Sequence, residues 1–160
     1  MKTLALCAAL LAASPLALAD PLISSVEDQP LSELWVNPGF ATYHFQRDRN
    51  LNGKNPGLGL EYRWSTQLAA TAGRFKNSDW EHSNYVGVYY QPWQIGPVRL
   101  GVVGGAFNGY PHFRNGGWFP SVLPVASAEW GRLGLMTTIV PGWGERLHGG
   151  ISVQLRLKLN

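Results

Sequence analysis

Cysteine is almost missing from this 160-residue chain, and the single Cys7 lies close to its start. Everything after it is free of thiols, so neither a disulfide framework nor a cysteine metal site can be built there. Charge is also sparse. Asp, Glu, Lys and Arg make up 14% of the residues with a formal net charge of +3, too small a cationic excess for a nucleic-acid surface. No stretch after Ala19 approaches the roughly 18 uninterrupted apolar residues of a spanning helix, which excludes an α-helical membrane protein.

Residues 1–19 read as a secretory signal peptide. Lys2 supplies the positive end, Leu4 to Ala13 the apolar stretch, and Ala17-Leu18-Ala19 a small-residue cleavage site before Asp20. Cys7 comes too early, and follows too bulky a residue in Leu6, to be a lipoprotein cysteine. About 140 residues remain, enough for one domain. Without Lys2 the excess of basic over acidic residues falls to two.

What the remainder has is alternation. Ile151, Val153, Leu155, Leu157 and Leu159 fall on one face of an extended run, and Ser152, Gln154, Arg156 and Lys158 on the other. Eight such runs are predicted: 36–46, 56–64, 67–75, 83–91, 97–107, 120–129, 132–140 and 149–159. Tight connections at 65–66, 92–96 and 130–131 alternate with longer ones at 47–55, 76–82, 108–119 and 141–148. Seven Trp and six Tyr include Trp35, Trp64, Trp93, Trp118, Trp130 and Trp143 at run ends, as in interfacial girdles. The pattern predicts an all-β protein: an eight-stranded antiparallel up-and-down transmembrane β-barrel of the bacterial outer membrane, occupying residues 35–160. Residues 20–34 form a periplasmic N-terminal segment, either a short amphipathic helix around Leu31, Leu34 and Trp35 or a plain linker.

Short turns in the periplasm and long loops outside set the direction of each strand. Glu61, Arg63, Arg99, Arg156 and Lys158 then fall in the lower lumen, and Gly57, Gly59, Val103, Gly105 and Phe107 in the upper. A charged floor under an apolar chamber suits a pocket for an acyl chain better than a water-filled pore. A lumen packed solid by side chains is the alternative that eight strands also allow.

His44, His82, His112 and His148 all map to the outer rim or its loops, with no metal-ligand spacing, so no metal is assigned. His44 closes the first upward strand and Asn77-Ser78 follows the third, at the same level. A histidine near a serine is the minimum for base-assisted chemistry on a hydroxyl, although a rim His and a Ser after Asn are also ordinary loop residues.

Several stretches resemble one family. Val122-Leu123-Pro124-Val125-Ala126-Ser127, and Met136-Thr137-Thr138-Ile139-Val140-Pro141-Gly142 after it, are similar to the last third of the lipid A palmitoyltransferases. So are Ala41-Thr42-Tyr43-His44 and Arg74-Phe75-Lys76-Asn77-Ser78. The similarity runs from about Pro38 to Val153, carried by the ordered set rather than by one motif. It implies an outer-membrane barrel that moves a palmitoyl or similar chain from a phospholipid donor onto a hydroxyacyl chain of lipid A, acting as a monomer without a soluble cofactor. The family's essential His, Asp and Ser fall on His44, Asn77 and Ser78. Asn77 thus stands where the family has an acid, and Asp79 or Asp48 could take over that charge. Family members admit lipids sideways through gaps between the first and second and the sixth and seventh strands. Here Pro38, Pro56, Pro124 and Pro141 lie in or beside those strands, and proline cannot donate to a ladder. Arg114, in the longest outer loop, could bind a lipid phosphate.

The expectation is therefore a lipid A acyltransferase in which His44 is the general base, Ser78 positions or stabilises the oxyanion, and Asn77 orients His44. A non-catalytic structural or lipid-binding barrel, and a lipid A deacylase or phospholipase, are the alternatives.

Overall fold

The computed structural model describes residues 21–142 and 147–160. The expected signal peptide and Trp143 lie outside the described residues. Nine strands follow one another: β1 (Ser24–Ser25), β2 (Pro30–His44), β3 (Lys54–Ser65), β4 (Leu68–Lys76), β5 (His82–Ile95), β6 (Val98–Phe107), β7 (Phe119–Trp130), β8 (Leu133–Val140) and β9 (Gly150–Lys158). From β2 onward each strand pairs antiparallel with the next, and β9 returns to pair with β2. The result is a closed eight-stranded barrel, the arrangement that leaves no long edge unpaired. Strand β1 is an addition to it. Beyond Tyr90, β5 outruns its neighbour β4, and Ser24 and Ser25 pair with Gln94 and Trp93 on that overhang.

Period-two alternation turns this barrel inside out relative to a soluble one. In β3, Leu58, Leu60, Tyr62 and Trp64 face outward and are exposed, while Glu61 and Arg63 are buried within. Strand β9 repeats this, with Leu155 and Leu157 outside and Gln154 and Arg156 buried. The apolar inner cluster is small: Ala69, Tyr89, Val125 and Met136.

Beneath that cluster the lumen is floored by charge. Arg156 Nη1 donates to both Glu61 oxygens at 2.8 Å, and Arg63 Nε donates to Glu61 Oε1 at 3.1 Å. Both guanidiniums also reach Glu129, and Lys158 Nζ holds Glu33 at 2.9 Å. Buried charges persist only when paired in this way. Trp35 lies among them, with the cationic ends of Arg63, Arg156 and Lys158 each about 5 Å from its ring.

Trp35 corrects one expectation. It is fully buried in the floor rather than placed in an outer aromatic girdle, whereas Trp64, Trp93, Trp118 and Trp130 do point outward. Of the helix or linker expected over 20–34, no helix forms among the described residues: Ser24–Ser25 is β1, 26–29 is a connection, and 30–34 belongs to β2. Pro30 opens β2 at a first-strand position, where its missing N–H costs nothing. Strand β2 is then paired with β3 from its first residue.

The ladders weaken at two places. Strands β7 and β8 pair only from Val125↔Thr138 downward, so among the described residues Phe119–Pro124 has no partner on β8. On β2, no residue between Val36 and Ala41 pairs with β9. The β2–β3 side, where a gap was expected, carries a register shift between Asn37↔Gly59 and Gly39↔Pro56 that skips Pro38 and, on β3, Gly57 and Leu58, with the ladder continuing on either side. Gly39 sits there at φ +103°, and a Cβ would lie 2.2 Å from the Asn55 carbonyl oxygen. Only glycine fits that close approach.

Candidate active site at the mouth of an aromatic chamber

His44 is the last residue of β2, paired with Gly150, and Ser78 follows the end of β4. Two loops meet between them. The Asn52 N–H donates to the Ser78 carbonyl at 2.9 Å, and the Asn52 carboxamide donates to the Asn77 carbonyl at 3.1 Å. Asn55 donates to the Lys76 carbonyl at 2.9 Å and accepts from Thr42 Oγ1 at 2.7 Å. Asn52 and Asn55 are almost wholly buried, so these bonds hold the β3–β4 edge firmly against β2. The outcome is direct contact: His44 Nε2 lies 2.7 Å from Ser78 Oγ.

Asn77 does something other than orient His44. It is 0% exposed, and its carboxamide is spent on the turn. Oδ1 accepts from the N–H groups of Asp79 and Glu81 at 2.9 and 3.0 Å. Nδ2 donates to Ser83 Oγ at 2.9 Å and to the Gly109 carbonyl at 2.7 Å. A carboxylate could satisfy the first pair but not the second, because it has no N–H to offer Gly109. Asn77→Asp, which restores the acid of the resembled family, is therefore expected to cost about 3 kcal/mol or more through a charge buried against a carbonyl. Denaturant unfolding of the two proteins checks this.

The acidic group near the dyad is Asp79. Its Oδ1 lies 3.9 Å from His148 Nε2, with both side chains more than nine-tenths buried. The sequence put His148 on the rim without linking it to the site. Its approach depends on closure of β9 onto β2, which no local pattern records.

Below the dyad opens a chamber walled by rings. Phe40 and Phe75 meet edge to face at 5.0 Å, and Phe75 meets Tyr85 at 5.9 Å. Tyr85 stacks on Phe107 at 6.1 Å, and Phe107 on Phe119 at 6.2 Å. Tyr110, at 5.8 Å from Phe119, closes the upper side. Burial pushes the Tyr110 hydroxyl far above its ordinary range, so it remains a neutral phenol. Ser78 and His148 line the mouth and Tyr89 and Leu123 the depth. The cavity volume is about 100 Å³, room for roughly seven to ten water-sized groups. The lumen is thus not packed solid.

Val103, Gly105 and Phe107 line this space as expected. Gly57 and Gly59 do not enlarge it. A Cβ on Gly57 would strike the Arg74 carbonyl, and one on Gly59 the Tyr85 hydroxyl, at 2.3 and 2.0 Å. Arg114 is apart from the chamber, exposed in a short turn, with Nη1 donating to the Trp118 carbonyl at 3.2 Å. Of the prolines, Pro124 is paired with Val102 on β6 but has no partner on β8 among the described residues, and Pro141 follows the end of β8.

The class that this geometry defines is a closed β-barrel with a histidine–serine pair over an apolar luminal chamber. Compared with known proteins, the chain matches no family model and none of the curated proteins.

Proposed function

We propose that this protein is an outer-membrane lipid A acyltransferase, moving a palmitoyl or similar chain from a phospholipid to a hydroxyacyl chain of lipid A. The observation that carries the reading is the 2.7 Å contact between His44 Nε2 and Ser78 Oγ at the mouth of a ring-lined chamber. The belt of exposed Leu, Val, Ile and aromatic residues around the barrel supports immersion in lipid. In water such a surface would be an aggregation hazard. The leader read at residues 1–19 supports export to that membrane, where the barrel needs no second copy of itself.

Part of the donor's acyl tail, roughly as many methylenes as the chamber has room for, enters it, which leaves the ester carbonyl beside the pair. In the resting tautomer Ser78 donates its O–H to an unprotonated His44 Nε2. The acceptor hydroxyl attacks the carbonyl carbon as its proton passes to Nε2, and Ser78 turns its O–H to the developing oxyanion. Collapse breaks the bond to the glycerol oxygen, and the departing lysophospholipid takes the proton back from His44. Every proton and electron pair is accounted for without a soluble cofactor. The stretch of β7 from Phe119 to Pro124, laddered to β6 but without a partner on β8 among the described residues, supports sideways entry of lipid. An open seam in a membrane leaves backbone groups unsatisfied, a cost that a transit route would explain.

Mass spectrometry of lipid A from outer membranes carrying the protein tests the reading. The expected result is a gain of one acyl mass that disappears in His44→Ala. A loss of acyl mass identifies a deacylase or phospholipase using water as acceptor, and unchanged lipids with full folding identify a non-catalytic barrel.

A further inference from the structure

A second depression adjoins the dyad on its outer side and has no part in the chemistry above. It has a volume of about 680 Å³ and is lined by Arg49, Asn50, Leu51, Asp79, Trp80, His112 and His148, a size typical of small-ligand sites. His148 lines both this cleft and the chamber, so the two spaces meet beside the dyad.

The cleft is built rather than incidental. Two of its four loops are joined, because the Trp80 indole N–H donates to the Asn50 carbonyl at 3.0 Å and the Asn52 N–H to the Ser78 carbonyl. Trp80 adopts φ +66°, a left-handed conformation that is an outlier for so bulky a residue. Such strain persists where the surroundings impose it, and it concentrates at ligand sites. The side chain it holds is half exposed, with the Lys76 ammonium 5.2 Å from the ring. His148 Nδ1 is buried with no hydrogen-bond partner among the described residues.

The lining chemistry selects the ligand. A guanidinium, an amide and two imidazoles would suit an anion, but the Asp79 carboxylate in the same wall opposes one. Mixed donors and acceptors beside an accessible indole instead match a ring that bears hydroxyls on its edge and C–H groups on its face. We propose that the cleft is a saccharide site that seats the sugar headgroup of the glycolipid acceptor, with Trp80 as its platform. The glycolipid part rests on the acyltransferase reading. Saccharide binding by the cleft does not.

The test uses the full barrel folded in detergent, with a glucosamine disaccharide lacking acyl chains as the probe and saturation-transfer NMR as the readout. A dissociation constant on the order of 1–10 mM is expected. Trp80→Ala should weaken it at least about tenfold, whereas Trp80→Phe, which keeps an aromatic face, should stay within about threefold. Near-UV circular dichroism of the chamber rings verifies folding, and Asp79→Asn, expected to weaken binding about tenfold by replacing a charged acceptor oxygen with an N–H donor, serves if Trp80→Ala does not fold. Failure of the wild type to bind, equal binding by the variants, or full displacement by inorganic phosphate overturns the proposal. Saccharide binding without acyl transfer would overturn the enzyme reading alone, and acyl transfer without saccharide binding this one alone.

Discussion

Glu61→Ala is expected to lower stability by roughly 3–5 kcal/mol, the cost of stranding buried charge. Glu61 is only 2% exposed and accepts from Arg156 twice and from Arg63 once. Its removal leaves two guanidiniums in the lumen with Glu129 as the one carboxylate both still reach. Arg156 has no surface to retreat to, since its side chain is 0% exposed. Unfolding of the barrel in lipid vesicles by denaturant measures the loss. The double variant Glu61→Leu with Arg156→Leu should be less damaged than the sum of its single variants, because the second change removes the stranded partner. A loss under about 1 kcal/mol in Glu61→Ala would show that water replaces the carboxylate, and that the floor is not dry.

His44→Ala is expected to reduce acyl transfer by about 10²–10⁴-fold, the range of a positioned general base. Ser78→Ala should fall in the same range, and the double variant should be little worse than either single one, because the two act as a unit. Neither change removes a ladder bond of the sheet, so thermal unfolding should shift little. Turnover of a phospholipid donor by the purified barrel separates the effects. Equal rates in wild type and His44→Ala would remove the histidine from the chemistry. A covalently acylated Ser78 trapped from wild type would instead make the serine the nucleophile, with His44 as its base.

The barrel was legible because its evidence is local. A period of two in residues such as Leu58, Leu60 and Tyr62 assigns each side chain to a face without reference to any other strand. The charged floor followed for the same reason, since Glu61, Arg63, Arg156 and Lys158 sit at inward positions near strand ends. Trp35 was misplaced because an aromatic at a run end suits either face. Only the cations around it show that its ring belongs inside. Likewise Leu31 and Leu34 suited a short amphipathic helix, when they belong to a strand that opens at Pro30.

The candidate site was legible in part. The levels of His44 and Ser78 came from counting strand directions, but the role of Asn77 did not, because its four partners come from Asp79, Glu81, Ser83 and Gly109. Gly59 could not be read as filled, since the Tyr85 hydroxyl that occupies its space lies two strands away. The ladder interruption beside Pro38 was expected toward β3, where a register shift lies between Asn37 and Gly39; the second interruption, toward β9 between Val36 and Ala41, was not expected.

By itself, then, the sequence determined the eight strands of the barrel (though not the added β1), the facing of most of their side chains and the level of the rim residues. Each of these depends on neighbours within a few positions along the chain. Only the tertiary structure decided that His44 touches Ser78, that Asp79 approaches His148, and that the rings leave a chamber between them. Closure brings residues more than thirty positions apart into contact, and the space left over is a small difference between the barrel's width and the summed volumes of side chains from all eight strands.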